Sequence, residues 1–392
     1  MFTFLIFIAV LAVLVLSHEF GHFIVARKCG IKVDEFGFGF PPRIFGIRRV
    51  KYSTGEKRWH FVWGRRAIQN EIKDTEKQPG TLYSINWLPL GGFVKIKGED
   101  GAAKNDPDSF SAKAAWQKAS VIVAGVVMNF LLAVVFLSLG YYLGAPAALG
   151  EATGAYAQNV RVHILQVLPG SPAEQAGLAG GDIVESVGEA AAPRLATMQD
   201  YLALHSGQIV KINILRDRVK FTKDITPIFY PEINRAGIGV AIAEIGTLKY
   251  PWHLAIYHGF ISAGIFIKEI FRAFYLLIAG VFTSASIGGS VAGPVGVAVM
   301  TGEAARLGFN FLLQFMAMLS LNLAVLNILP IPALDGGRLF FIIINKIFRR
   351  GVSVRAEQIA HSIGFALLLV LVVAVTIKDL SPLVGALVNQ FK

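Results

Sequence analysis

Charged side chains are scarce in this chain of 392 residues. Asp, Glu, Lys and Arg together make up only 16% of it, whereas hydrophobic residues make up 54%, and the mean hydropathy is +0.57. A composition this apolar excludes an ordinary soluble protein and predicts an integral membrane protein. The length leaves room for two or three domains.

Cysteine is nearly absent as well. The chain has one cysteine, Cys29, which cannot form an intrachain disulfide. Basic residues are missing before Arg27, and no small-residue cleavage site follows the first apolar run. These absences argue against a cleaved secretory signal peptide and favour a membrane span. Internal repeats and long low-complexity tracts are also lacking.

Long uncharged runs, by contrast, are abundant. At about 1.5 Å per residue, four of them can cross most or all of about 30 Å of hydrocarbon. These predicted spans cover residues 1–27, 119–143, 307–330 and 362–380. A fifth apolar stretch, 254–282, carries Lys268, Glu269 and Arg272 near its middle. It is predicted to be amphipathic and to lie at the membrane surface, within an interfacial segment 251–306.

The net charge of +11 is unevenly distributed. From Arg27 to Lys118 there are 18 Lys and Arg against 10 Asp and Glu, a net charge of +8; from Gly144 to Tyr250 there are 9 against 10, a net charge of −1. Because basic residues beside spans stay cytoplasmic, the first segment is predicted to be cytoplasmic, and the second segment and both termini extracytoplasmic. A cytoplasmic loop and helix, 331–361, follow the third span. This topology accounts for the basic charge better than nucleic-acid binding does.

Both segments between spans contain β-like patterns. In the cytoplasmic segment 28–118, Thr81–Trp87 and Phe93–Lys97 alternate apolar and polar residues around a glycine-containing turn. The earlier stretch Phe36–Phe40 suits a membrane interface or an ordinary loop equally well. The extracytoplasmic segment 144–250 is predicted to contain one small, mostly β domain.

Two histidines stand four residues apart inside the first predicted span. A helix projects His18 and His22 from one face, where their imidazoles can share a tetrahedral zinc ion. Glu19 can then take a proton from the attacking water. The motif also occurs by chance on soluble helices. Within lipid, however, an unpaired charged side chain costs about 2.5–3.5 kcal/mol at the centre of a span, so a metal site inside a helix bundle is the favoured interpretation.

A catalytic zinc site needs a third protein ligand and one open position. Asp335 is the best candidate, because Pro330 and Pro332 interrupt the third span and place this carboxylate on irregular backbone at its cytoplasmic end. Taken alone, an Asp-Gly pair could equally be an ordinary turn. Asn322 and Asn327 are also unfavourable in lipid, and could simply form hydrogen bonds between helices.

Taken together, these motifs resemble a known family. The stretch His18–His22, reading HEFGH, and the later stretch Asn327–Gly336, reading NILPIPALDG, are similar to the site-2 protease family of intramembrane zinc metalloproteases. The resemblance is closest to its bacterial RseP-type members and covers nearly the whole chain. It implies a polytopic α-helical membrane protein with about four transmembrane helices, a cytoplasmic membrane-associated β-hairpin region and an extracytoplasmic PDZ-like β-rich domain.

The resemblance also implies roles for particular residues of a zinc metalloendopeptidase. The Zn²⁺ ligands would be His18, His22 and Asp335, and Glu19 would be the general base. Asn327 would hold the substrate backbone or the developing oxyanion. Other substrate-binding elements of the family would correspond to Pro330, Pro332, Gly37, Gly39, Gly91 and Gly92. The stretch Gly293–Gly296 is similar to a family element before the third span.

The expected partners are the lipid bilayer and transmembrane proteins. Substrates of the family include anti-sigma factors already trimmed by another protease and remnant signal peptides. The resemblance therefore implies the bacterial cytoplasmic (inner) membrane, with the active site toward the cytoplasm and no nucleic-acid partner.

One feature departs from several close relatives. Those relatives carry two tandem PDZ domains, whereas this chain has room for one, at about residues 160–229. No Gly-Leu-Gly-Phe carboxylate-binding loop stands out there. The sequence therefore does not favour capture of a free C-terminus over a second role, that of a size filter over the active site.

Two other functions fit parts of the pattern. An inactive membrane scaffold would not need the intact ligand positions. A metal or proton transporter could use the same His, Glu and Asp cluster as a relay, but it would leave the PDZ-like domain and the β-hairpin without a purpose.

Overall fold

A computed structural model describes residues 2–52, 54–64, 77–148, 156–191, 194–216, 219–231, 234–283, 292–348 and 351–390. The chain forms two compact units. Unit 1 comprises Met1–Ser138 and Ile256–Lys392, and unit 2 comprises Leu139–Ala255.

The elements of the described residues follow one another along the chain. The helices are α1 (Phe2–Lys28), α2 (Ala115–Leu143), α3 (Pro172–Gln175), α4 (Leu195–Leu204), α5 (Trp252–Thr283), α6 (Pro294–Leu307), α7 (Phe309–Ile328), α8 (Asp335–Ile347) and α9 (Val354–Gln390). The strands are β1 (Val33–Tyr52), β2 (Lys57–Trp63), β3 (Lys77–Ile96), β4 (Ala145–Ala148), β5 (Ala157–Val167), β6 (Ile183–Val187), β7 (Ala190–Ala191), β8 (Val210–Arg216), β9 (Val219–Ile225), β10 (Ile228–Tyr230), β11 (Arg235–Gly237) and β12 (Val240–Leu248).

Four helices of the described part are long and apolar enough to cross a membrane. They lie at Thr3–Lys28, Ala115–Leu143, Phe309–Ile328 and Val354–Leu380, over the four predicted spans. Helix α5 is also long, but its charged residues Lys268, Glu269 and Arg272 are exposed near its middle. The length and composition of the helices thus identify the same four spans that the sequence pattern predicts.

Close contacts between helices bring α1, α2 and α7 together. A Cβ atom at Gly21 of α1 would lie 2.3 Å from the carbonyl oxygen of Ala124, so only glycine lets α1 approach α2 this closely. The buried hydroxyl of Ser320 on α7 donates to the carbonyl oxygen of Asn129 on α2 at 2.8 Å. Small residues and interhelix hydrogen bonds are the usual means of helix association in lipid, where the hydrophobic effect contributes little.

Unit 1 also contains a three-stranded antiparallel sheet in the order β2–β1–β3. The patches predicted at Thr81–Trp87 and Phe93–Lys97 lie largely in one long strand, β3, bent at Gly91, which has a φ of +85°. Phe36–Phe40 belongs to β1 and is therefore strand rather than loop. The first half of β1 pairs with two parts of β3, Leu82–Ile85 before the bend and Gly92–Ile96 after it.

The sheet is attached to the end of α1. Phe23 of α1 packs against Phe36 and Tyr83, with ring centroids 5.1 Å and 6.0 Å apart. Ala26 and Ile31 belong to the same buried cluster. Because Phe23 lies just before the basic end of α1, the sheet lies at the end of this span.

Unit 2 is built on a mixed-length antiparallel sheet in the order β4–β12–β5–β6–β8–β9, with β7 beside β6. Its core includes Ile164, Met198, Ile212 and Ile214, all at most 1% exposed. The sheet includes β12, which lies beyond the predicted domain limits of about 160–229.

Candidate active site

Three side chains from distant parts of the chain converge in unit 1. The Nε2 atoms of His18 and His22 are 3.1 Å apart. Oδ2 of Asp335 lies 2.9 Å from Nε2 of His18 and 3.2 Å from Nε2 of His22. Both histidines are buried, at 8% and 7% exposure. The helical spacing of four brings the imidazoles together, and the break after α7 brings the carboxylate to them.

Helix α2 holds the two imidazoles from one side. Nδ1 of His22 donates to the carbonyl oxygen of Val121 at 2.8 Å, which leaves the lone pair of Nε2 facing the other two groups. One helical turn later, a Cβ at Gly125 would lie 2.5 Å from Nε2 of His22 and 2.6 Å from Cε1 of His18. Gly125 therefore provides the space that both rings occupy.

One more turn along α2, Asn129 contacts the second ring. Its side-chain amide lies 3.3 Å from Nδ1 of His18, and the residue is fully buried. The other amide atom, Oδ1, has no hydrogen-bond partner among the described residues. Rotating the amide by half a turn would let Oδ1 accept a hydrogen bond from Nδ1–H of His18, and would leave Nε2 free to bind a metal. This orientation satisfies both buried groups.

The third side chain, Asp335, is the first residue of α8. Its position at a helix N-terminus favours a negative charge. Gly336 and Gly337 follow it, and a Cβ on either would lie 2.1 Å or 2.4 Å from carbonyl oxygens of Leu329 and Ile331. Two glycines therefore allow α8 to start directly against the chain that leaves α7.

A cavity of about 230 Å³ opens beside these three groups. It is lined by Val15, His18, Glu19, Asn129, Leu323, Asn327, Ala333, Leu334 and Asp335. Asn327 lies close to the histidines, with Nδ2 3.4 Å from Nε2 of His18. Glu19 and Asn327 thus border a space in which a small group could contact the convergent ligand atoms.

The other predicted substrate-binding residues do not line this cavity in the described part of the chain. A Cβ at Gly37 would meet the Phe93 ring at 2.5 Å, and Gly39 has a φ of +77°, so both are required by the sheet itself. Pro330 is exposed, whereas Pro332 packs against Gly364 of α9.

Gly91 and Gly92 lie beside α1. Cβ atoms there would lie 3.0 Å from Val15 and 3.6 Å from Leu16, and that at Gly92 would lie 3.9 Å from Cγ of Glu19. Asn322 donates to the carbonyl oxygen of Met318 in its own helix.

The donor set fits a zinc ion. At zinc–ligand distances of about 2.0–2.1 Å, the ligand atoms of a tetrahedral site lie about 3.3 Å apart. The three distances of 2.9–3.2 Å between Nε2 and Oδ2 atoms are close to this value. Oδ2 of Asp335 lies within 3.2 Å of both Nε2 atoms, so one ligand atom from each of the three side chains faces the same point.

Sequence comparisons identify the family. The model of Peptidase family M50 matches residues 6–55 and 66–371, which together make up most of the chain. The chain therefore belongs to peptidase family M50, the site-2 proteases. Membership makes it a membrane-embedded zinc metalloprotease, as the resemblance implies.

Curated relatives match over nearly their full length. The Clostridium perfringens protein named "Putative zinc metalloprotease" is 34% identical over 94% of this chain and 95% of its own. Zinc metalloprotease RasP of Oceanobacillus iheyensis is 26% identical over 98% of this chain and 100% of its own. The PDZ domain of an SdrC-like protein from Listeria monocytogenes is 24% identical over 21% of this chain and 85% of its own, with a TM-score of 0.20.

Sequence reasoning missed the residues of α2. Val121, Gly125 and Asn129 are spaced by four and so share one face of the helix. Asn129 carried a signal that could have been read, since an amide in an apolar span is rare and marks a specific contact. Nothing local identified Val121, because its contribution is a backbone carbonyl.

Proposed function

We propose that this chain cleaves transmembrane segments of membrane proteins, with zinc held by His18, His22 and Asp335. Glu19 is the general base of this reaction. One observation carries the proposal: two imidazoles and a carboxylate converge to within 3.2 Å beside a cavity bordered by Glu19 and Asn327. A polar cluster on a water-exposed helix surface has no cost to offset, whereas such a cluster between apolar helices is unfavourable unless it has a partner such as a metal ion.

The chain's own residues divide the work. A bound zinc ion would supply Lewis-acid activation of the water and of the scissile carbonyl group. Glu19 accepts the proton of the attacking water and then delivers it to the leaving amine. The Asn327 amide is placed to donate a hydrogen bond to the substrate carbonyl as negative charge develops on it. His22 and His18 are kept in the metal-binding tautomer by Val121 and Asn129.

The substrate must also be unwound. A helix hides its peptide bonds in its own hydrogen bonds, so an extended conformation is needed before cleavage. Residues Gly92–Ile96 at the end of β3 pair with β1 on one side only, within the sheet as described. Since Gly92 lies beside Glu19, a substrate strand added at this free edge would run toward the cavity.

A row of exposed aromatic side chains on one face of the sheet supports a cytoplasmic orientation for this end of α1. The face that contacts Phe23 continues across β1 into β2, where Trp59, Phe61 and Trp63 are 58%, 71% and 67% exposed. Basic residues accompany this aromatic row, including Lys57 on the same face. Exposed tryptophans beside lysines suit the headgroup layer of an anionic cytoplasmic leaflet.

Unit 2 is proposed to be a PDZ-like domain on the opposite side of the membrane. It is tethered in the chain between two apolar helices, α2 and α5. Its near-neutral charge argues against electrostatic recruitment of a strongly charged partner. A folded module in this place can exclude substrates with bulky ectodomains, such as an anti-sigma factor before its first cleavage.

The activity is tested with the full-length chain in liposomes together with a single-span substrate tagged at both ends. We expect cuts inside the apolar segment, and faster cleavage when a Gly-Pro pair interrupts that segment. Glu19→Gln should bind zinc normally but lower turnover by at least about 10²-fold, because Gln cannot accept the proton. Full turnover in Glu19→Gln, or cuts only outside the apolar segment, would contradict the proposal.

The orientation is tested by cysteine labelling. In a Cys29→Ser background, Thr54→Cys and Ser206→Cys each place a thiol at an exposed position. With a membrane-impermeant maleimide, we expect position 206 to react in spheroplasts and position 54 to react only after permeabilisation. The reverse pattern would place the sheet outside.

A further inference from the structure

The turn that leads into Asp335 has an unusual backbone. Ala333 has a φ of +79°, a value that favours glycine. Pro332 precedes it, and the Leu334 N–H donates to the carbonyl oxygen of Ile331 at 3.2 Å. Proline in second place and a positive φ in third place are the features of a type II turn, in which glycine is the usual third residue. An alanine here needs support from its surroundings.

Helix α9 supplies contacts to both ends of one peptide group in this turn. The group joins Pro332 and Ala333. Its N–H donates to Nδ1 of His361 at 2.8 Å. Its carbonyl oxygen faces Gly364, where a Cβ would lie only 2.5 Å away. His361 and Gly364 are three residues apart, so they lie on the same face of α9.

The orientation of this peptide group determines the type of turn. Rotating it by about half a turn gives a type I turn, in which the third residue has a negative φ. Alanine prefers that state, and the rotation would displace the residues that follow, including Asp335 at the start of α8. The hydrogen bond to His361 opposes the rotation directly.

The imidazole has few other polar contacts. Nε2 of His361 is buried and has no hydrogen-bond partner among the described residues, and its ring packs against Phe341 at a centroid distance of 5.7 Å. Because Nδ1 accepts a hydrogen bond, the ring proton lies on Nε2. The bond from Ala333 is therefore the polar contact that gives this partly buried histidine a function.

We propose that His361 is a positioning residue, which keeps the 332–333 peptide group in its type II orientation and thereby holds Asp335 beside His18 and His22. The proposal rests on the proposed role of Asp335 as a zinc ligand. It gives α9 a role in the metal site, whereas its apolar sequence alone predicts only a membrane span.

The test compares zinc affinities of purified full-length variants in detergent, by competition with a chelator. His361→Ala removes the acceptor and should weaken zinc binding by about 10–100-fold, as loss of a supporting partner usually does. His361→Asn places Oδ1 near the position of Nδ1 and should restore most of the affinity. Ala333→Gly in the His361→Ala background should recover about 5-fold or more, because glycine adopts the positive φ without support. Ala333→Gly alone provides the fourth corner of the cycle.

A second measurement, the visible absorption of bound Co²⁺, reports on the geometry of the site and, like the zinc affinity, does not depend on activity. Co²⁺ in place of zinc should give intense visible absorption bands in the wild type, weaker bands in His361→Ala and recovered bands in the double variant. Ser362→Ala, an exposed neighbour on α9, is the matched control and should behave as the wild type.

Two outcomes would overturn the proposal for different reasons. If Asp335→Ala loses zinc but His361→Asn is as weak as His361→Ala, or Ala333→Gly gives no recovery, His361 serves only packing. If Asp335→Ala binds zinc as the wild type does, the proposed ligand set is wrong and the positioning role is wrong with it.

Discussion

At the scale of single residues, the environment of His18 determines which of its nitrogens carries the proton. Among the described residues, Asn129 is the hydrogen-bonding neighbour of Nδ1, at 3.3 Å. An amide can either donate to that nitrogen or accept from it, and only acceptance leaves Nε2 free for a metal. The metal-binding form of the site therefore requires Oδ1 of Asn129 to face the ring.

We expect Asn129→Leu to weaken zinc binding by about 10–100-fold, because it removes the acceptor that fixes the His18 tautomer. Chelator competition on the purified protein measures the change. Ser138→Ala is a suitable control, since this buried polar residue on the same helix bonds only to the backbone of its own helix in the described structure and should leave affinity unchanged. Equal affinities in Asn129→Leu and the wild type would remove Asn129 from the site.

At the scale of elements, one face of α2 packs against the two imidazoles of α1 and determines how they are oriented. Val121, Gly125 and Asn129 stand one turn apart, opposite the pair His18 and His22. The two helices must therefore keep their register to within a fraction of a turn. Gly21, which lets α1 approach Ala124, fixes that register from the other side.

Adding one methyl group to α2 should accordingly destroy the site. In Gly125→Ala, the new Cβ would lie 2.5 Å from Nε2 of His22, so the imidazoles must shift and zinc occupancy should fall to a small fraction of the wild-type value. Gly140→Ala on the same helix is the control, because its nearest neighbour would be at an ordinary 3.8 Å. Elemental analysis of both purified variants decides; a fully occupied Gly125→Ala would show that α2 can move aside.

These elements also show what a sequence can and cannot predict. Long apolar runs identified the four spans, since membrane insertion depends on composition summed over a segment. The histidine pair was readable because its spacing is local to one helix. The carbonyl of Val121 and the hydrogen bond from Ala333 to His361 were not readable, because backbone groups leave no trace in residue identity. The strand character of Phe36–Phe40 was also hidden, since glycines required for close strand approach resemble those of a loop.

In unit 2, an ion pair between the buried Asp182 and the partly exposed Arg216 joins the turn before β6 to the end of β8. Arg216 donates to both carboxylate oxygens of Asp182, at 2.6 Å and 2.8 Å, and the Ala179 N–H donates to one of them. Burial of Asp182 would raise its pKa, but the hydrogen bonds from Arg216 and Ala179 lower the pKa more, so it lies below its usual range.

A carboxyl group with a lowered pKa stabilises the fold above its unfolded pKa, and that contribution is lost as the pH falls through the folded pKa. We expect the contribution of Asp182 to the stability of unit 2 to be constant from pH 8 to pH 5 and to decline only below about pH 4. Asp182→Asn should lower stability by about 2–3 kcal/mol at pH 7 and flatten this acid limb. Hydrogen exchange of β6 and β8, corrected for intrinsic rates, tests both points; an unchanged acid limb in Asp182→Asn would assign it to other groups.

At the scale of the whole molecule, unit 2 is expected to govern access. Replacing residues 145–248 with a short Gly/Ser linker should leave zinc content intact and allow cleavage of substrates whose ectodomain has not been trimmed. The comparison is cleavage of full-length against trimmed substrate, in the wild type and in the deletion. If the deletion binds zinc but cuts neither substrate, the domain positions the substrate instead of filtering it by size.

The separation of the proposed ligands along the chain has a consequence for biosynthesis. His18 and Asp335 are 317 residues apart (335 − 18), so at about 5–20 residues per second the carboxylate leaves the ribosome about 15–60 s after the histidines. During that interval the side chains of His18, His22 and Glu19 lie in the membrane without the carboxylate of Asp335. Helix α2 follows α1 by fewer than a hundred residues and brings Val121 and Asn129 to them first. The three-ligand site can therefore form only after α8 and the supporting helix α9 have been made, so we expect metal binding to come late in assembly.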